Sequence, residues 1–385
     1  MPAGAMSKFV EYFIGPYKKV CLTWAIDNKL RYNSASGGVA TVLLKYLLEK
    51  NYVDAVIVPS PRFKRCLTYG VWTVVREPSA LDTYSGSLYA PVYGLSKILN
   101  YLLTKFKRIA ITAVPCYARA IRRVLESRGR SGDVFIVGFY CYNTPSTLAT
   151  RYALKYFNIN VEDVERVRYR GCGWPGYTII ETRRGTIRVP FSVFFGSGFG
   201  QYFYSVGCYL CADQTNTSAD LSLADPWTLP HEPIKRLGGA TLVVVRSERG
   251  LGVFREAVEA GYLSAIEVYP VYAIQDTTLL KLSRKTLKKG INTTGKYLLP
   301  SDFTTITYEL TYLVGHFLAS REKLWPLLRV YHKTLRPLAL KTASVLDYRF
   351  RTTWSRINTL IKTMQRTRLP SEILSLAKDP TIDHD

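Results

Sequence analysis

The sequence is poor in histidine. Only 4 of its 385 residues are histidines. His231 is the one near the motifs described below, because His316, His332 and His384 all lie toward the C-terminus. A Ser–His–Asp hydrolase and a histidine-rich zinc enzyme both need histidine where the chemistry occurs. The scarcity therefore argues against both classes.

Long apolar runs are also missing. No stretch approaches the roughly 18 to 20 uninterrupted apolar residues that span a bilayer. The best N-terminal candidate, Phe9 to Gly15, contains Glu11 and is too short for the core of a signal peptide. We therefore expect a cytoplasmic protein, in which thiols normally stay reduced, although hyperthermophiles do keep intracellular disulfides. The 7 cysteines are then expected to be buried thiols and metal ligands rather than a disulfide framework.

Acidic residues are few compared with basic ones, and most of the excess positive charge lies in one segment. The chain has 52 Lys and Arg against 29 Asp and Glu, a formal charge of +23. From Lys281 to Arg368 there are 18 basic and 4 acidic residues, so this segment alone carries +14. Such a field attracts nucleic acid, an anionic membrane surface or an acidic partner protein, and it is also a general trait of basic proteomes.

Segments typical of strands and of helices alternate from Lys19 to Phe139. This alternation predicts an α/β core with a mixed, largely parallel sheet. Shorter strand patterns from Val164 to Val189 predict a β-rich insertion, and beyond about Gln275 the pattern is mainly helical and basic. We expect an N-terminal extension (1–18), an α/β domain (19–274) and a basic, mainly helical C-terminal region (275–385).

Two local predictions concern the connections between these elements. Lys19 to Trp24 and Leu30 to Tyr32 are typical of a strand pair that turns at Asp27-Asn28. The segment from Phe191 to Gly207, rich in glycine and aromatic residues, is predicted to be a long ordered loop.

The sharpest local motif is Cys208-Tyr-Leu-Cys211. Two cysteines three apart can bind one metal from a tight turn, as in zinc and iron–sulfur centres, and redox dithiols use the same spacing. Cys116 and Cys141 each follow a predicted strand. If those strands are neighbours, their ends lie one strand spacing apart, about 4.8 Å, and four thiolates can converge. Otherwise Cys116 and Cys141 are ordinary buried thiols.

Other motifs allow both a structural and a functional interpretation. Ser34-Ala-Ser-Gly-Gly38 precedes a predicted helix and either cradles a phosphate or forms an N-cap turn. Gly173-Trp-Pro-Gly176 either places an indole against a flat ring or is a turn with a packed tryptophan. Asp220 and Asp225 can cap helices, orient a ligand or be exposed, and the sequence does not choose among these.

The ordered set of motifs resembles the coenzyme F420 hydrogenase/dehydrogenase beta-subunit family. The resemblance covers roughly Lys19 to Ala260, and each motif is modest while the ordered set is specific. The matching motifs are Ser34 to Gly38, Tyr84-Ser-Gly-Ser-Leu-Tyr89, Val114-Pro-Cys-Tyr117, Gly138-Phe-Tyr-Cys141, Arg168 to Gly176, Cys208 to Cys211 and Ala219 to Trp227.

The resemblance implies a flavoprotein that passes electrons between an iron–sulfur cluster and a two-electron carrier, coenzyme F420 or another substrate, at FAD. It implies a ferredoxin-like electron donor or a partner redox subunit. The thiolates that match those of the family's four-iron, four-sulfur (4Fe–4S) cluster are Cys116, Cys141, Cys208 and Cys211. The implied surroundings of FAD are Ser34, Ser36, Gly37, Gly38, Ser87, Tyr89, Gly173, Trp174 and Gly176.

Three departures from the family pattern stand out. The cysteine-dense ferredoxin-like segment of many relatives is missing, since only Cys21 precedes Cys66, so a second cluster within this chain is not expected. Cys172 occupies a position where a polar residue without a thiol is expected, and is either a spare thiol near the flavin or a substitute ligand. The basic C-terminal region lies outside the resemblance.

A hypothesis from another class is a non-enzymatic, zinc-stabilised protein that binds nucleic acid or a membrane surface through the basic C-terminal region. That region lacks the interleaved aromatic residues of a base-stacking surface, which argues against nucleic acid. Docking to an acidic protein or to an anionic membrane surface is compatible with the redox hypothesis.

Overall fold

The computed structural model describes residues 3–64, 67–209, 211–278, 281, 303–350 and 353–376. Its centre is a nine-stranded sheet in the order β12-β1-β11-β10-β6-β5-β2-β3-β4, and a separate three-stranded sheet has the order β7-β8-β9. The strands are β1 (Lys19–Ala25), β2 (Ala55–Lys64), β3 (Leu67–Val75), β4 (Val92–Tyr93), β5 (Ile109–Ala113), β6 (Val134–Phe139), β7 (Val164–Arg168), β8 (Tyr177–Thr182), β9 (Gly185–Pro190), β10 (Leu221–Ala224), β11 (Thr241–Val245) and β12 (Leu263–Glu267).

Helices cover both faces of the large sheet. The first eleven are α1 (Ala3–Ile14), α2 (Asn28–Asn33), α3 (Val39–Glu49), α4 (Leu95–Lys105), α5 (Pro115–Ser127), α6 (Ala149–Tyr156), α7 (Phe191–Phe194), α8 (Gly200–Tyr202), α9 (Val206–Tyr209), α10 (His231–Arg236) and α11 (Glu248–Glu259). The described C-terminal helices are α12 (Phe303–Ala319), α13 (Trp325–Lys333), α14 (Leu335–Phe350), α15 (Thr353–Thr367) and α16 (Ser371–Ser375).

The alternation of side chains along the strands separates the layers. Val56 and Val58 of β2 pack with α3 and α11 on one face, whereas Ala55 and Ile57 pack with α4 and α5 on the other. Farther along that second face, α1 and α15 pack against β1 and β11. Alternate residues along the strands are thus buried under helices on one face or the other, as in a sheet that lies between two helical layers. The α/β class with a mixed sheet is therefore confirmed.

The directions of the strands bring several loops to one edge of the sheet. The central strands β10, β6, β5 and β2 are parallel, and β11 is antiparallel to both β10 and β1. The carboxyl ends of β1, β5, β6 and β10 therefore share an edge with the amino end of β11. We call this the carboxyl edge; in open α/β sheets ligands bind there.

Two local predictions were wrong. Leu30 to Tyr32 belongs to helix α2, because the Asp27 side chain accepts a hydrogen bond from the Leu30 N–H (2.9 Å) and caps the helix. The stretch from Phe191 to Gly207 consists mostly of short helical turns rather than a loop, with an interruption at Gly198, whose φ is 101°. Strands β10 and β12, not predicted from the sequence, complete the sheet.

The predicted β-rich insertion and the helical character of the C-terminal region are confirmed. Strands β7 to β9 form the β-rich insertion. The described part of the C-terminal region is mainly helical, whereas its residues 279–280, 282–302, 351–352 and 377–385 lie outside the described part. In the described ranges no helix is both long and apolar enough to cross a membrane. Helix α1 packs into the core through Met6, Val10 and Ile14.

Candidate functional site at the carboxyl edge

Two of the predicted cysteine ligands are neighbours at the carboxyl edge. In the parallel pair β5–β6, Ala113 lies opposite Gly138. Cys116 and Cys141 each stand three residues beyond this pair, so adjacent loops carry them side by side. Cys116 lies in the first turn of α5 and is exposed, whereas Cys141 is half-buried and its N–H donates to the Gln214 carbonyl (2.9 Å).

The segment that carries Cys208 and Cys211 lies against the loop after β6. The Cys208 N–H donates to the Ser205 carbonyl (3.0 Å), and the Cys211 N–H donates to the Cys208 carbonyl (3.2 Å). The Cys211 thiol donates to the carbonyl of Asp213 (3.3 Å). Since the next residue, Gln214, accepts the Cys141 N–H, the tight turn is attached directly to the loop after β6.

The thiols influence one another electrostatically. Burial raises the pKa of Cys141 to about 12, Lys281 opposes the rise, and the Cys208, Cys116 and Cys211 thiolates add to it. Burial by the surrounding chain also raises the pKa of Cys116, with further contributions from Cys211 and Cys208, although its side chain reaches solvent. Cys116 and Cys141, whose ionisation is hindered by burial and by the neighbouring thiolates, become stable thiolates when a metal centre supplies positive charge.

The four thiols lie in the same region but do not surround a single metal position. Within the part of the chain that the structure describes, no three histidine, cysteine or carboxylate side chains are placed to hold a metal ion as they lie. The donor set is nevertheless all sulfur, which suits iron–sulfur and zinc centres. Cys172 has a different neighbour, Arg168. Burial lowers the pKa of Arg168, and the Cys172 thiolate opposes that decrease.

Three glycine-containing loops meet at the same edge, and we call them the glycine-loop cluster (residues 32–38, 84–89 and 168–176). The Ser34 and Ser85 hydroxyls are hydrogen-bonded at 2.8 Å. The Gly173 N–H donates to the Tyr32 carbonyl (2.8 Å). Ser36 Oγ donates to the Ala240 carbonyl, just before β11. The structure thus brings together three segments whose proximity the sequence alone does not reveal.

The two glycines before α3 have different roles. The Gly37 N–H donates to Thr241 Oγ1 (2.9 Å), and a Cβ at Gly37 would lie 2.8 Å from the Thr23 carbonyl oxygen. Gly37 is therefore required for close packing against β1 and β11. Gly38 has a φ of 74° and precedes α3 without any side-chain cap. The first N–H groups of α3 consequently have no capping side chain, which suits an anionic group of a ligand.

Arg168 is a cation that sequence reasoning missed. Its guanidinium donates to the Asn33 carbonyl, and a Cβ at Gly171 would lie 2.9 Å from its Cζ. Its Nε is 4.0 Å from the position of a Cβ at Gly86. Arg168, which begins the third loop, therefore bonds to the first loop and lies close to the second. Its position within the quoted motif Arg168 to Gly176 was the available signal.

A buried ion pair ties the third loop to β10. Arg170 is 1% exposed and its Nη1 donates to Asp225 Oδ2 (2.5 Å), while Trp174 Nε1 donates to Asp225 Oδ1 (2.9 Å). The Trp174 ring packs on Trp227 with centroids 4.7 Å apart. A Cβ at Gly176 would lie 2.4 Å from the Gly171 carbonyl oxygen, so the loop needs glycine there. Asp225 therefore positions the loop, a role that the sequence left open.

Ser87 and Tyr89 lie toward the aromatic core beneath α7. The Tyr89 ring contacts Tyr169 (5.6 Å), Phe191 (5.9 Å) and Phe195 (5.4 Å) between centroids. Burial raises the pKa of Tyr89, and the Arg170 charge and the hydrogen bond with Ser87 oppose the rise. These contacts hold the second loop beside the buried ion pair.

Two family models match the part of the chain that contains these segments. Residues 20–100 match the N-terminal family model described as "Coenzyme F420 hydrogenase/dehydrogenase, beta subunit", and residues 106–270 match the C-terminal model of the same description. The chain belongs to the coenzyme F420 hydrogenase/dehydrogenase beta-subunit family. The resemblance stated from the motifs is thereby confirmed, and the relatives of this family named below are oxidoreductase subunits.

Named relatives of the family cover most of the chain. The F420-dependent formate dehydrogenase subunit beta of Methanocaldococcus jannaschii is 28% identical over 283 residues, 71% of this chain and 69% of that protein. The coenzyme F420 hydrogenase subunit beta of Methanothermobacter thermautotrophicus is 22% identical over 262 residues, 64% and 84% respectively.

A solved structure shares the fold. A chain of the F420-reducing NiFe hydrogenase complex of Methanosarcina barkeri superposes with a TM-score of 0.55 at 20% identity, covering 74% of this chain and 97% of that chain. This likeness supports the mixed α/β fold of the chain.

Proposed function

We propose that this chain is an iron–sulfur flavoprotein subunit that passes electrons between a 4Fe–4S cluster and a hydride acceptor or donor at FAD. The two-electron substrate is coenzyme F420 or another carrier. The observation that supports this most is that the four coupled thiols and the glycine-loop cluster lie on the same edge of one sheet. The names of the relatives, an F420-dependent formate dehydrogenase and an F420 hydrogenase, point to the same chemistry.

The chemistry requires two kinds of electron transfer in one place. An iron–sulfur cluster exchanges single electrons, a hydride carrier exchanges two, and a flavin does both. The protein then needs no titrating side chain for the hydride step. It has to hold the two groups close together, exclude water and tune them with hydrogen bonds and charges.

The residues of this chain divide these tasks. Cys116, Cys141, Cys208 and Cys211 would bind the cluster. The uncapped N-terminus of α3 at Gly38 and the guanidinium of Arg168 would bind the anionic phosphates of the flavin. The pair Arg170–Asp225 would keep the third loop in place, because it is buried and tied to β10.

The chain would receive or deliver single electrons through a ferredoxin-like protein or a partner redox subunit. The named relatives are themselves subunits, and the solved likeness is part of a complex. The net charge of +23 favours an acidic partner.

Anaerobic reconstitution tests the proposal. The full chain, incubated with iron, sulfide and FAD, is expected to retain a flavin absorption band and about four irons per chain, the content of a single 4Fe–4S cluster. Cys116→Ser or Cys141→Ser is expected to lose most of the iron while the flavin remains. Cys172→Ser is the matched control and is expected to keep both.

One result would refute the proposal, and another would correct its ligand set. A colourless protein that binds zinc and no flavin would favour the zinc-stabilised alternative. Loss of iron in Cys172→Ser with retention in Cys116→Ser would replace one member of the ligand set.

A further inference from the structure

Lys281 is a buried cation in contact with the loops that carry the cysteines. Its side chain is 1% exposed. The ammonium donates to the Cys141 carbonyl (2.7 Å) and to the Asp213 carbonyl (3.5 Å). The same Asp213 carbonyl accepts the Cys211 thiol (3.3 Å). Lys281 therefore joins the loop after β6 to the turn that follows Cys208.

The ammonium has no carboxylate partner among the residues that the structure describes. Its contacts there are the two carbonyls and the face of Tyr142, whose centroid is 6.0 Å away. The carboxylate of Asp213 is engaged elsewhere, since it accepts the N–H groups of Asn216 (2.9 Å) and Thr217 (3.3 Å).

A buried charge without a counter-ion is costly. Removing an ammonium from water costs several kcal/mol, and two carbonyl dipoles offset only part of it. Such a group is retained where an opposite charge is present in the working protein. Apart from the engaged carboxylate of Asp213, the described groups beside Lys281 that can become negative are cysteine thiols: its ammonium donates to the Cys141 carbonyl, and the Asp213 carbonyl that it also contacts accepts the Cys211 thiol.

We propose that Lys281 is the built-in counter-charge of an anionic metal–thiolate centre on these four cysteines. It holds the two ligand loops together and favours the reduced, more negative state of the centre. This rests on the proposed function and adds to it a positioning residue from outside every motif. Charge and hydrogen bonds near a cluster are the means by which proteins set its potential.

The test uses the full chain with its cluster reconstituted anaerobically. We compare wild type, Lys281→Met, which removes the charge at similar length, and Lys281→Arg, which keeps it. The control is Lys362→Met, because Lys362 is half-exposed and pairs with the exposed carboxylate of Asp276 (2.6 Å), so the same charge is lost at a site that solvent reaches. The readouts are the midpoint potential, from a redox titration followed by electron paramagnetic resonance, and the rate of cluster loss to a chelator.

Lys281→Met is expected to have a more negative potential than either wild type or Lys362→Met. It is also expected to lose its cluster roughly tenfold faster, the low end of what outer-shell partners of metal ligands contribute. Lys281→Arg should keep a potential and a lifetime close to those of wild type. Circular dichroism melts of the apoproteins verify that each variant is folded.

The inference is overturned if Lys281→Met matches Lys362→Met in both readouts, or if Lys281→Arg behaves like Lys281→Met. These failures differ from failure of the proposed function, which appears already in the wild type as an inability to take up an iron–sulfur cluster.

Discussion

At the scale of single residues, two aspartates five positions apart serve different parts of the molecule. Asp220 is 1% exposed and pairs with Arg122 (2.7 Å) and Arg249 (2.6 Å) at the amino end of β10. Asp225 lies at the carboxyl edge and holds Arg170 and Trp174. The sequence could not separate these roles, because each depends on arginines from distant segments.

Replacing Asp220 is predicted to be strongly destabilising. Asp220→Asn leaves two arginines without a counter-charge in a buried site, and we expect a loss of about 3 to 5 kcal/mol in the free energy of unfolding. Urea unfolding at neutral pH measures it. The control is Glu267→Gln, an exposed pair with Lys19, which should cost less than about 1 kcal/mol. Equal effects of the two substitutions would contradict the prediction.

The same carboxylate makes stability depend on pH. Burial works to raise the pKa of Asp220, but hydrogen bonds and charges from Arg249 and Arg122 outweigh it, so the pKa lies below its usual value. The stabilisation is therefore complete above the unfolded pKa of about 3.9 and is lost as pH falls through the lower folded value. Urea titrations at falling pH should show a shallower acid loss in Asp220→Asn than in wild type.

At the scale of elements, the start of α3 depends on one glycine. Gly38 has a φ of 74°, and a Cβ there would lie 2.6 Å from Leu30 Cδ2. Gly38→Ala is expected to cost about 1 to 2 kcal/mol from the left-handed backbone alone, and the contact with Leu30 adds to it. The free energy of unfolding, measured with urea, and the affinity for flavin should both decrease.

Gly252 in α11 is the matched control for this prediction. A Cβ at Gly252 meets nothing within 4 Å, and the residue lies inside the helix. Gly252→Ala should therefore stabilise the chain by roughly 0.5 to 1 kcal/mol. Two substitutions of the same kind are thus expected to have opposite signs, and a stabilising Gly38→Ala would refute the strained-cap interpretation.

At the scale of the whole molecule, the charge is expected to guide the electron partner. The described part of the C-terminal region presents exposed lysines, among them Lys323, Lys333 and Lys341. We predict that reduction by an acidic ferredoxin-like donor slows steeply as salt rises, since the screening length is only about 8 Å at physiological ionic strength. Reduction by a small uncharged reductant should not. Stopped-flow absorbance measures both rates.

A charge-matched pair of variants locates the effect. Replacing Lys323, Lys333 and Lys341 by glutamine should slow the acidic donor and flatten the salt dependence. Replacing three exposed lysines of the α/β domain by glutamine removes the same charge and should have a smaller effect; these are Lys29, Lys50 and Lys107. Equal effects would mean that net charge, and not the C-terminal region, guides the partner.

Local patterns were sufficient for most strands of the sheet. The β-branched runs of β5 and β6 and the helical spacing of α3 predicted those elements, because period and propensity are properties of neighbouring residues. The prediction of a strand at Leu30 to Tyr32 was wrong for a reason that is also local. The helix cap at Asp27 outweighed the strand propensity of these three residues. The strands β10 and β12 were not predicted because their sequences, Leu-Ser-Leu-Ala and Leu-Ser-Ala-Ile-Glu, lack a β-branched run and become strands through pairing with their neighbours in the sheet.

The sequence by itself determined the α/β class, the location of the positive charge and the candidate cysteines, since these follow from composition, period and spacing. Only the tertiary structure decided what meets at the carboxyl edge. The order of strands places Cys116 beside Cys141, Arg168 among three loops, and Lys281 against the loop after β6. These contacts join residues up to 140 positions apart. No local pattern encodes them, because strand order results from packing the whole chain around one sheet.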